Sequence, residues 1–120
     1  MTLRKLLSPI RYWWQRRTRG FDDRDLWSLD YAIIKFIYPR LKLFRDQAPQ
    51  VSTPMHPTQI DESGNPRSLE TEEWREILDE MLEGFQLAVE DKCYPLTGDD
   101  HKKLDHSMDV FRKWFFALWD

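Results

Sequence analysis

The chain has 120 residues, 18 basic and 21 acidic, for a formal charge of −3. That length suits one domain around a modest core. No stretch reaches the ~18 uncharged apolar residues of a membrane-spanning helix, and the single cysteine, Cys93, excludes an intrachain disulfide and fits a reducing compartment. A cytoplasmic, all-α protein is the expectation that the following elements build.

Residues 1–20 form a basic arm. Arg4, Lys5, Arg11, Arg16, Arg17 and Arg19 occur there without an acidic residue, interleaved with Tyr12, Trp13 and Trp14; the remaining 100 residues hold 12 basic and 21 acidic groups. Pro9, Arg11 and Gln15 interrupt any apolar run, which argues against a cleavable secretory signal. Ser8 as N-cap and Pro9 at the first helical position predict an interrupted helix. Ile10, Trp13, Trp14 and Arg17 share a stripe of it, and Gly20 ends it. Two readings of the arm stay open. Arginines can fork onto phosphate while an aromatic ring stacks on a base; or the tryptophans pack onto the bundle while the arginines pair with its acidic faces. Attachment of a short, proline-broken segment to a membrane surface would be weak, so no membrane partner is expected.

Asp22 or Asp23 caps a second predicted helix over 24–45. Leu26, Leu29, Ile33, Ile37, Leu41 and Phe44 recur at three- and four-residue steps, with Trp27, Ile34, Phe36 and Tyr38 widening the stripe, which is the pattern of a central, buried helix. Pro39 should kink or divide it. Asp30, if buried in this apolar setting, needs a partner, and Arg24, Arg40 and Lys113 are the candidates.

Residues 46–69, with four prolines and little periodicity, read as a long loop. A third helix, 70–91, places Trp74, Ile77, Leu78, Met81, Leu82, Phe85, Ala88 and Val89 on one face and acids on the others, capped by Ser68 or Thr71. Pro95 and Gly98 mark a turn. Asp99 or Asp100 then caps a helix over 100–119 with the stripe Leu104, Met108, Phe111, Phe115 and Leu118. The fold class is therefore all-α: a single domain, 1–120, of three long helices plus the arm.

Little here suggests catalysis. Glu76, Asp79, Glu80 and Glu83 have helical spacing, but the Glu-x-x-His pairs of a di-iron bundle are missing, and a solvated charged face explains them. His101, Asp105, His106 and Asp109 lack a completing ligand or nucleophile. Cys93 has no protease-type partner and reads as packing. No glycine-rich phosphate loop is present. The expectation is a non-enzymatic protein without metal or cofactor.

The binding residues are assigned by chemistry. Arg17, Arg19, Arg24 and Arg40 are expected to supply charge to a phosphate-bearing ligand, with Trp13 or Tyr31 stacking. The run Trp114, Phe115, Phe116, Ala117, Leu118, Trp119 is apolar on every side, so Trp114, Phe115, Phe116 and Trp119 are assigned to a homo-oligomer interface.

Three segments carry a resemblance. Arg19-Gly20-Phe21-Asp22-Asp23-Arg24-Asp25-Leu26-Trp27-Ser28-Leu29-Asp30-Tyr31 with Pro39-Arg40-Leu41, then Glu72-Glu73-Trp74 through Ile77-Leu78-Asp79-Glu80-Met81 to Gly84-Phe85, and finally the ending Phe111 to Asp120 resemble a family of small, uncharacterised tailed-bacteriophage proteins. The resemblance implies phage origin, action in the host cytoplasm and, by analogy, an accessory role against host defence. The leading expectation is sequestration of a phosphate-bearing signalling nucleotide. The alternatives are inhibition of a host protein, or a packaging role that touches nucleic acid through the arm.

Overall fold

The structure, a computed structural model, describes residues 3–48, 53–92 and 94–119, with side chains from Leu7 onward. Cys93, read as a packed thiol, lies outside the described residues. The chain is mostly helical, in the order α1 (Leu3–Arg19), α2 (Arg24–Trp27), α3 (Leu29–Asp46), β1 (Met55–Ile60), β2 (Pro66–Ser68), α4 (Thr71–Gln86) and α5 (Gly98–Trp114). It divides into two compact units, Met1–Lys35 and Phe36–Asp120.

In the first unit α1 runs unbroken through Pro9, which corrects the expected interruption. Proline forfeits one backbone bond there, and the rest of the helical ladder carries on. Gly20 closes the helix at φ +83, donating its N–H to Arg16 O at 3.0 Å; a β-carbon would strain that left-handed backbone. The helix expected over 24–45 is two. Ser28, at φ −140 and ψ 68, separates α2 from α3, and its carbonyl accepts the N–H of Ala32. Serine favours helix starts over helix interiors. Pro39 does not divide α3.

Nor is α3 the buried central helix its composition suggests. Ile34, Tyr38 and Leu41 are buried, but Leu26, Trp27, Leu29, Ile33, Phe36 and Leu43 are exposed. Asp30, for which a buried partner was sought, is exposed and accepts the N–H of Tyr31. The buried aspartate is Asp22.

The second unit is built on α4. Trp74, Leu78, Met81, Leu82, Phe85 and Ala88 are buried as their spacing predicts, while Ile77 and Val89 are half-buried. Neither Ser68 nor Thr71 caps this helix. Glu70 is its N-cap, and the Glu73 carboxylate reaches back to accept the Glu70 N–H at 3.1 Å. After Gln86 the helix widens into a π-turn, Leu87–Asp91. Thr97, not Asp99 or Asp100, is the N-cap of α5.

Helices α4 and α5 meet at a glycine. A β-carbon on Gly84 would lie 2.5 Å from Leu104 Cα and 2.7 Å from Lys103 O. Through that gap the fully buried Ser107 hydroxyl accepts the Gly84 N–H at 2.8 Å and donates to Glu80 O at 2.7 Å. One hydroxyl from α5 thus bonds a donor and an acceptor one turn apart on α4 and satisfies its own buried oxygen.

The segment read as a loop over 46–69 contains an antiparallel hairpin. Met55 pairs with Ser68 and Ile60 with Pro66, with an irregularity between. Local polar bonds hold it. Asp61 Oδ1 accepts the N–H groups of Ser63 and Asn65, with Gly64 at φ +84, and His56 Nδ1 accepts those of Thr58 and Gln59. Arg67 fastens the hairpin to α4 by forking onto Glu73 at 2.8 and 3.0 Å. That guanidinium, helped by the Glu70 N–H, lowers the Glu73 carboxyl to about 2.

Candidate functional site

In the first unit the arginines of the arm meet carboxylates that follow it in the chain. Arg16 Nε donates to Asp22 Oδ2 at 2.6 Å. Arg24 meets the same carboxylate with Nε at 3.1 Å and Nη2 at 2.9 Å, and donates its own backbone N–H to it. Asp22 has no exposed surface, and the hydrogen bonds from Arg24, then Arg16, hold its carboxyl far below the usual range despite burial. Arg19 pairs with Asp23 at 2.7 Å, and Gln15 holds Asp23 through both its amide groups. Tyr12 lies edge-on to Trp27 at 6.2 Å and beneath the Arg24 guanidinium at 4.4 Å.

So the arginines do pair with acidic residues, but Trp13 and Trp14 do not pack inward. Each is 59% exposed, alongside Leu7 and Ile10. The polar face of α1 is turned to its own chain and the apolar face to solvent.

The residues assigned to a phosphate ligand are therefore already engaged. Arg24 holds Asp22, Arg19 holds Asp23, and Arg17 lies over Trp13 at 5.7 Å. Lys35 lies over the Tyr31 ring at 5.5 Å. Arg40, in the second unit, folds back over Phe36 at 3.7 Å and donates to Phe36 O. Sequence reasoning offered Asp22, with Asp23, Asp25 and Asp30, as acids these arginines neutralise, but did not single it out as the buried carboxylate shared by Arg16 and Arg24. The signal was present: an aspartate just past the helix-ending Gly20, with Arg16 and Arg24 on either side.

Among the described residues, the recesses of the second unit include three that bear on function. One of about 480 Å³, between α3 and α4, is lined by Tyr38, Lys42, Arg45, Asp46, Asp79 and Glu83 among others. Arg45 is clasped by Asp79 at 2.8 and 3.2 Å, and Lys42 lies 3.8 Å from Glu90. With three acids to two cations, this recess repels phosphate. Burial, and then a hydrogen bond to the Glu90 carboxylate, push the Tyr38 hydroxyl up to about 12.

The other two recesses flank Phe116. One of about 410 Å³ is lined by Met108, Asp109, Phe111, Arg112, Phe115 and Phe116; the other, about 270 Å³, by Thr53, Pro54, Met55, Phe116, Ala117 and Trp119. A ladder of edge-to-face rings leads outward from the core, Phe85 to Phe111 to Phe115 to Phe116, at 5.8, 5.5 and 5.2 Å. Its last ring, Phe116, is 90% exposed, and Trp119 is 67% exposed. The helix expected to reach 119 ends at Trp114 and tightens into a 3₁₀ turn, Phe115–Ala117, which carries the last rungs. Trp114, assigned to an interface, turns instead toward the core, 5.7 Å from the buried Trp74.

Three of the acids weighed on α4 meet cationic neighbours: Asp79 meets Arg45, Glu83 meets Lys103 at 3.9 Å, and Glu80 meets His106 at 3.9 Å. His101 meets Asp105 at 3.3 Å on the surface of α5. Among the described residues no three His, Cys, Asp or Glu side chains gather as a metal site, and no helix is long and apolar enough to cross a membrane. No family model, no curated protein and no solved structure matches this chain.

Proposed function

We propose that the chain is a non-enzymatic docking protein whose working surface is the aromatic ledge of Phe115, Phe116 and Trp119, and whose first occupant is a second copy of itself. The observation that carries this is Phe116, an aromatic knob 90% exposed between two apolar recesses. A knob beside a hole is self-complementary: about a two-fold axis, each Phe116 enters the other copy's recess. Asp109 and Arg112, on the rim of the larger recess, offer opposite charges to pair across such an axis. Apolar patches of this kind are costly to leave in water and mark interfaces.

The resemblance to small phage proteins supports a setting, an accessory factor in an infected cell, in which the docked surface engages a host protein. This reading is preferred to nucleotide sequestration because Arg19 and Arg24 hold carboxylates of their own chain. Sedimentation equilibrium tests it with two variants. Phe116→Ser should shift the equilibrium toward monomer without lowering thermal stability, since the ring is solvent-exposed. Trp74→Ala should do the reverse, lowering stability by about 3–5 kcal/mol. Unchanged self-association in Phe116→Ser removes the ledge from the account.

A further inference from the structure

The outward face of α1 is not used by the ledge and belongs to the other unit. We infer that α1 is a membrane-surface helix, and that Leu7, Ile10, Trp13 and Trp14 lie in the headgroup layer of an anionic bilayer. Three observations lead there. The helix is continuous over Leu3–Arg19, so the proline-broken segment that would attach weakly does not exist. Its orientation is imposed by its own chain, because Asp22 and Asp23 hold Arg16 and Arg19 on the opposite side. And the helix carries no acidic residue, so nothing along it repels an anionic surface.

Two arginines, Arg17 within this stripe and Arg11 beside it, suit the same occupant. Arg11 lies over Tyr12 at 5.2 Å and Arg17 over Trp13 at 5.7 Å, and neither is within ion-pair distance of a carboxylate among the described residues. Their long stems let an apolar side chain sink while the guanidinium snorkels to the phosphate layer. Tryptophan favours this depth, where its ring is buried and its N–H stays wet. Nucleic acid fits less well: it asks for a row of free cations, and here Arg16, Arg19 and Arg24 are spent internally while the exposed stripe is apolar.

The test is co-sedimentation of the full chain with phosphatidylcholine vesicles, with and without about one-third phosphatidylserine. The wild type should pellet with the anionic vesicles, less so at high salt, and much less with neutral ones. Trp13→Ser/Trp14→Ser should lower the bound fraction by about tenfold or more, with unchanged circular dichroism because both rings face solvent. Leu43→Ser, at an exposed apolar position of the second unit that the ledge does not use, should pellet like the wild type. The proposal is overturned if the wild type stays in the supernatant, if the double variant pellets undiminished, if Leu43→Ser lowers binding as much as the double variant, or if duplex DNA strips the protein from the vesicles at equal phosphate concentration.

Discussion

Asp22 decides what the first unit exposes. Its carboxylate is shared by Arg16 and Arg24 and is fully buried. Replacing it with asparagine keeps the shape but removes the charge and turns one acceptor oxygen into an NH2 donor facing two guanidiniums. Asp22→Asn should speed amide exchange at Gly20, Arg24 and Asp25, and leave Gly84 and Leu104 in the other unit unchanged. The pH dependence has a fixed sign. A carboxyl whose folded pKa is depressed stabilises fully above its unfolded value, near 3.8, and that stability is lost as pH falls through the lower folded value. The exchange behaviour of the wild-type unit should thus hold down to about pH 4 and converge on that of the variant only in stronger acid. Gly84 and Ser107 are decisive in the same way. Gly84→Ala forces a β-carbon into the α5 backbone and should cost about 1–3 kcal/mol or more in chemical denaturation. Ser107→Ala removes the hydroxyl that ties α5 to the Gly84 N–H and Glu80 carbonyl of α4, at about 0.5–1.5 kcal/mol.

Elements differ in how far their residues announce them. The buried face of α4 was legible because each of its positions does a single job, apolar inward or acidic outward. The hairpin was not. Most of the β1 side chains are exposed whichever way they point, so no alternation of hydrophobicity marks it, and its stability lies in the Asp61 and His56 bonds and the Arg67–Glu73 fork. Helix α3 misled for a related reason: apolar residues all round suggest burial, yet one side of it, with Leu29, Ile33, Phe36 and Leu43, faces water. The arm was half legible, since pairing of its arginines follows from charge, but the outward turn of Trp13 and Trp14 follows from where Asp22 sits. Glu73→Gln removes the charge that Arg67 grips, so exchange at the Leu69 N–H, which bonds Pro54 O at 2.9 Å, should quicken while the α4–α5 amides hold. In the wild type the same loosening should appear only as pH falls from about 4.5 toward 2, the interval between the ordinary and lowered values for Glu73.

For the whole molecule, exposed aromatic surface outweighs any pocket. Phe115, Phe116 and Trp119 end the second unit as a ledge, while the recess between α3 and α4 is lined by three acids and two cations. The candidate interface was legible as a run of apolar residues at 114–119. The role of Trp114 was not, because its partner Trp74 lies forty residues away in sequence and only the fold brings them together. The account therefore rests on the ledge being covered by another chain. Light scattering on the wild type through the micromolar range tests that most directly. A mass rising with concentration toward about 29 kDa, twice the 14.6 kDa chain, and falling back to the single-chain mass in Phe116→Ser is the predicted result. A strict monomer at every concentration, or a dimer that Phe116→Ser leaves intact, would contradict it.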